Sequence, residues 1–180
     1  MQATAHKKQL ILRLLEQHRI LTIATMRPDG WPQATLVGYV NDGFLLYCFV
    51  SRNSQKYQNI KADPRVSIAI GSDAPHPSDL KGLSLAARCI EVTDQEEISH
   101  VAALRLRRYP EYAELPPPIL QGGDLQRLSV EPDPRKVAIL RIEPEIISVL
   151  DYSKQFGHSD LVAFSGRDLD VHVKSQLHQW

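Results

Sequence analysis

The chain has 180 residues, of which 43% are hydrophobic and 23% charged, a balance that suits one domain built around a sizeable core. Lys plus Arg number 21 and Asp plus Glu 21, so the formal net charge is zero. Phosphate backbones and anionic membrane surfaces select proteins with a basic excess, so neither nucleic acid nor membrane is expected as a partner. No apolar run approaches the ~20 residues of a membrane-spanning helix.

The first residues, Met1 to Lys8, lead into an amphipathic stretch rather than a signal-peptide core. From Lys7 to His18 the residues Leu10, Ile11, Leu14 and Leu15 recur at helical spacing, which predicts a short helix with one packing face. Arg19 to Met26 is β-branched and apolar and runs into Pro28, Asp29 and Gly30, a turn signal. Gln33 to Val40 is a second strand, closed by Asn41, Asp42 and Gly43, residues that tolerate the positive φ of a tight hairpin. Phe44 to Val50 completes an antiparallel meander. A helix follows, with Asn53 or Ser54 as its N-cap, and stops before Asp63 and Pro64. Arg65 to Gly71 and Leu83 to Val92 are strands four and five, with a proline-bearing loop at 74–78 between them.

The polar start from Thr93 to Glu97 opens a helix that carries Ile98, Val101, Leu104 and Leu106 and ends at Tyr109 and Pro110. Residues 110–134, rich in proline and glycine, read as a long loop. A sixth strand spans Lys136 to Glu143, and after Pro144 another apolar run covers Ile146 to Leu150. The tail from 151 to 180 has too little periodicity to assign. The expected fold is mainly β with peripheral helices: six or seven antiparallel strands curled into a barrel over residues 1–180.

Several chemistries are missing from this pattern. Cys48 and Cys89 are too few for a disulfide scaffold and read as reduced, buried thiols of a cytoplasmic protein. The seven histidines show no metal-ligand spacing, so no metal is expected. There is no glycine-rich dinucleotide loop, no phosphate loop and no nucleophile elbow. Arg105, Arg107 and Arg108 read as a solvated helix face.

One junction stands out. The third strand hands over to a helix across Ser51, Arg52, Ser54, Gln55 and Lys56. Free N–H groups at a helix start, two hydroxyls and two cations suit an anion, and a phosphate would offset the cost of a lysine in the first helical turn. By pattern alone the same residues also suit an ordinary capped surface helix.

Taken in order, the run from Ile20 to Met26, the turn at Asp29 to Pro32, the hairpin at Asn41 to Gly43, the spacing of Ser51, Ser54, Lys56 and Ile60, and Asp63 to Val66 resemble the flavin-binding split-barrel superfamily, which includes pyridoxamine 5′-phosphate oxidase. The resemblance covers Ile20 to about Val92, with Val137 to Ile142 as the expected later barrel strand. It implies a six-stranded antiparallel split barrel and a homodimer with FMN in clefts at the subunit interface. Lys56 then corresponds to the family's phosphate-binding lysine, with Ser54 and Gln55 beside it. Thr35, Leu36, Val37 and Gly38 correspond to the strand lining the flavin, and Tyr47 and Cys48 to contacts from the next strand. The oxidase places phosphate-binding arginines where this chain has Thr35 and Gln55, and Arg52 is expected to compensate in part. The oxidase's basic, histidine-bearing C-terminal motif is not reproduced by Val171 to Trp180. The expectation is therefore an FMN-dependent oxidoreductase of unknown substrate, distinct from the oxidase itself, with no catalytic residue assigned. The alternative is a non-catalytic module holding haem or a deazaflavin. In the tail, Phe156 or His158 would lie near the ring unless the segment simply packs on the barrel.

Overall fold

A computed structural model describes residues 2–71, 73–111, 133–155, 157–163 and 172–175. The elements are α1 (Gln2–Gln17), β1 (Ile20–Met26), β2 (Pro32–Asp42), β3 (Leu45–Ser51), α2 (Gln55–Ala62), β4 (Arg65–Gly71), β5 (Lys81–Glu91), α3 (Gln95–Arg108), β6 (Val137–Asp151), β7 (Ser159–Ala163) and β8 (His172–Ser175). The helix α1 starts earlier than the apolar stripe from Lys7, because a stripe marks the packing face and not the helix end.

The meander forms as its turn residues require. Gly30 and Gly43 both take positive φ, at 81° and 58°, which a side chain would resist. The strands run β3-β2-β1-β4-β5-β6, and β3 pairs with β6 to close a six-stranded antiparallel barrel. Two long strands make the closure. β2 pairs with β1 through Gly38 and with β3 from Tyr39 onward. β6 pairs with β3 over Val137–Ile142 and with β7 over Ile146–Leu150, while β5 runs along its other edge. The break expected at Pro144 does not occur. Pro144 sits where β6 changes partners, beside the irregularity at Ala86 and Ala87, so its missing N–H leaves no ladder bond unmade. The unassigned tail contributes β7 and β8, which extend the sheet beyond the ring.

Strand alternation fills the inside with Leu21, Ile23, Tyr39, Leu46, Ile68, Leu85, Leu140 and Ile147. Ile11, Leu14 and Leu15 of α1 and Tyr57 and Ile60 of α2 join the same core. Each such side chain contributes about 1.5–3 kcal/mol by leaving water. A second, smaller core lies outside the ring, where Val101 and Leu104 of α3 cover Val40, Tyr47 and Ile139.

Among the described residues no helix is long and apolar enough to cross a membrane, and no cluster of His, Cys, Asp and Glu could hold a metal.

Candidate functional site

The junction after β3 is a tight, capped turn. Arg52 N–H donates to Lys136 O at 2.9 Å, and Ser54 donates to Ser51 O from both its amide (3.0 Å) and its hydroxyl (2.6 Å). Ser54, not Asn53, is the N-cap: its Oγ accepts from Tyr57 N–H at 3.4 Å. Tyr57 and Ile60 anchor α2 in the barrel core, and Asp63 ends the helix before Pro64. The amide groups of Gln55 and Lys56 have no hydrogen-bond partner among the described residues. Nor has the half-buried Lys56 ammonium, and burial pushes its pKa down, with the neighbouring Cys48 thiol opposing in part. One unpaired cation therefore stands beside two unpaired amides at the start of an eight-residue helix.

The other residues of the expected set divide between two faces. Thr35 and Val37 alternate with Leu36 and Gly38 along β2: Val37 is buried, Leu36 is 72% exposed and Gly38 is exposed. Thr35 Oγ1 is a buried hydroxyl with no hydrogen-bond partner among the described residues. Cys48 lies in the inner core, and burial raises its thiol far above the usual range, so it is a packing residue and not a nucleophile. Tyr47 takes the opposite direction from Cys48. It sits in the outer core under α3, and its hydroxyl donates to Glu97 Oε1 at 3.0 Å.

Gln55 and Arg52 are both engaged by protein. Gln55 Nε2 donates to Asn59 Oδ1 at 2.9 Å; Asn59, wholly buried, donates in turn to Thr25 Oγ1 (3.0 Å) and Gln33 Oε1 (3.1 Å). Arg52 uses all three of its nitrogens: Nε to Pro134 O (2.7 Å), Nη1 to Tyr57 Oη (2.8 Å) and Nη2 to Glu91 Oε1 (2.6 Å). Tyr57 Oη in turn donates to Glu91 Oε2 at 2.9 Å. Burial pushes the Glu91 carboxyl up, but the bonds from Arg52 and Tyr57 outweigh it and hold the group ionised. Arg52 thus pins the loop to the ends of β5 and β6. Sequence reasoning missed Asn59 and Glu91. Asn59 left a trace, a polar residue next to Ile60 on the packed side of α2; Glu91 left none, since its partner is 39 residues away.

His158 Nε2 is buried 3.3 Å from Asp160 Oδ2, and Phe156 lies outside the described residues. The side chains of 171–180 are likewise outside them.

On the outside of the ring, Thr22, Ala69, Gly71, Gly82, Ser84 and Ser148 line an open groove of about 580 Å³. A Cβ at Gly82 would meet Ile70 O at 3.0 Å, so bare backbone is needed where β4 and β5 approach. Leu36, Ile20 and Ile146 are exposed on the same sheet.

A closed antiparallel ring with a capped helix after its third strand defines a split-barrel protein of the kind that the sequence resembles. The family model for pyridoxamine 5′-phosphate oxidase matches residues 8–151, and the chain belongs to that family. General stress protein 26 of Bacillus subtilis is 25% identical over 144 residues, which cover 80% of this chain and 88% of that protein. Among solved structures, HutZ, the haem storage protein of Vibrio cholerae, superposes with a TM-score of 0.58 at 19% identity, over 76% of this chain and 89% of HutZ. A FAD-binding protein of Mesorhizobium loti superposes with a TM-score of 0.55 at 19% identity, over 76% and 88% of the two chains. These similarities establish the fold, and flavin and haem are both represented among the neighbours.

Proposed function

We propose that this protein binds a flavin by its phosphate at the β3–α2 junction and acts as a flavin-dependent oxidoreductase, with FMN the smallest flavin that meets the requirement. The observation that carries this reading is the half-buried Lys56 ammonium, which has no acidic partner among the described residues, next to the amides of Gln55 and Lys56, likewise unpaired among them. The unpartnered Thr35 hydroxyl is a second group that fits a polar ligand atom. Bound flavin would supply the hydride or electron chemistry; this chain's part is to grip, orient and shield it. Ser54 and the Asn59 network hold the helix start in place, and Arg52 braces the loop rather than touching phosphate.

The bare outer sheet around the groove is the surface we assign to a second copy of the chain, so that the flavin sits at the interface of a homodimer. Leu36 and Ile20 protrude there among small residues, as a self-complementary patch requires. The free, buried thiols of Cys48 and Cys89 suit a reducing, cytoplasmic setting. For the haem reading, an axial ligand is needed; His158 Nε2 is buried without a hydrogen-bond partner among the described residues and faces Asp160 Oδ2 at 3.3 Å.

Titration of the purified protein with FMN and riboflavin tests the reading. FMN is expected to bind more tightly, and Lys56→Met to weaken FMN roughly 10- to 100-fold, the loss of one charge-assisted phosphate contact. Burial already disfavours the ammonium, so the ligand-free Lys56→Met variant should be at least as stable as the parent at neutral pH. Unchanged FMN affinity in that variant refutes the assignment.

A further inference from the structure

The amides of Gln55 and Lys56 are unpaired among the described residues although the same turn carries a competing acceptor. A glutamine near a helix start can fold its carboxamide oxygen back onto free N–H groups, as the glutamine of a capping box does. Gln55 is the first residue of α2, so its own side chain is the nearest rival to an anion at those amides. Other polar side chains of the turn are committed elsewhere: Ser54 Oγ accepts from Tyr57 N–H at 3.4 Å, and Gln58 Nε2 donates to Arg52 O at 2.9 Å. Gln55 is held along the helix instead, where its Nε2 donates to Asn59 Oδ1 at 2.9 Å, one turn onward.

Asn59 is wholly buried and its carboxamide is used at both ends. Its Nδ2 donates to Thr25 Oγ1 at 3.0 Å and Gln33 Oε1 at 3.1 Å, two residues that face each other across β1 and β2. Burying a carboxamide costs free energy unless it is fully bonded, and α2 already docks through Tyr57 and Ile60. A leucine, close in shape, would serve docking as well, but it would not hold Gln55. We propose that Asn59 is a positioning residue that keeps the Gln55 carboxamide off the helix-start amides, so that these amides and Lys56 stay open to a flavin phosphate. The Gln55 side chain is on this account a restrained competitor and not a phosphate ligand. The inference rests on the flavin-phosphate reading above.

Dissociation constants of riboflavin and FMN for the full chain, measured by flavin fluorescence, give the phosphate contribution as their ratio. Asn59→Leu should lower that ratio about fivefold, the effect of one neutral hydrogen bond that must break before phosphate binds. Riboflavin affinity should stay within about twofold of the parent, because the released carboxamide competes only at the amides. The double variant Asn59→Leu/Gln55→Ala removes the competitor but keeps its backbone amide, and should return the ratio to within about twofold of the parent. General loosening of α2 would not be rescued in this way. If Asn59→Leu does not fold, Asn59→Ser, which leaves room for a water between Thr25 and Gln33, carries the same pair of comparisons. A parental ratio in the single variant overturns the inference, as does a double variant that stays as weak as the single one. Riboflavin binding as tightly as FMN in the parent would instead overturn the phosphate reading itself.

Discussion

The outer wall of the barrel has two halves, and they differ in what covers them. Over β3 and the first part of β6, α3 shuts Val40, Tyr47 and Ile139 away from solvent. Over β1, β2 and β4, no described residue covers Leu36, Ile20 or the groove beside Gly71 and Gly82. The covered half carries large side chains and a charged clasp: Arg141 reaches Glu97 Oε2 at 2.7 Å and Glu143 Oε1 at 2.8 Å, and Tyr47 joins Glu97. The bare half carries Gly, Ala, Ser and Thr with a few protruding aliphatics. Outward strand positions thus record their cover in their chemistry. Bulk and charge pairing accompany a cover supplied by the same chain, and small residues leave room for something supplied from outside.

The comparison breaks most sharply at the clasp. Arg141→Leu strands the Glu97 carboxylate with only a tyrosine hydroxyl, and should cost about 3 kcal/mol in a denaturant titration. The next effect concerns the anchor of α1 on β7, where the buried Asp160 accepts from Lys7 at 2.8 Å and Lys154 at 3.1 Å. Burial pushes the Asp160 carboxyl up, but the two lysines outweigh it and hold it at about 2. The unfolded carboxyl titrates near pH 4, so the folded protein binds fewer protons. The stabilisation is complete above about pH 4 and disappears as pH falls toward 2. Asp160→Asn should lower stability by about 2 kcal/mol at neutral pH and flatten the acid limb of the profile. Tyr47→Phe, which removes one hydrogen bond to a charged group under α3, should cost about 1–1.5 kcal/mol. On the bare half, Leu36→Glu should change the stability of the single chain by less than about 0.5 kcal/mol. Its effect should appear in sedimentation instead, as loss of the dimer we assign to that face. Equal destabilisation by Leu36→Glu and Arg141→Leu would remove the distinction between the halves.

Much of the junction was legible because its determinants are neighbours in the chain. Ser54 caps α2 three residues before the amide it accepts from, and Lys56 follows two residues later. The set drawn from β2 and β3 depends on more distant parts of the chain. Alternation guarantees that Tyr47 and Cys48 point apart, but only α3, nearly fifty residues onward, decides that Tyr47 serves a structural clasp. The pairing of Arg52 is likewise settled at a distance: nothing near it in sequence announces Glu91.

What the sequence determined alone was the order and sense of the strands in the meander, the hairpins at Gly30 and Gly43, and the capped start of α2, because turns and caps are set by φ preferences and hydrogen bonds within a few residues. What the tertiary structure decided was the passage of β6 through Pro144, the closure of β3 on β6, and which cation remains free at the junction. Those outcomes depend on contacts between segments up to 96 residues apart, such as Arg52 with Glu91 and Leu46 with Ile142. No local preference encodes them, since the groups meet only once the ring has closed.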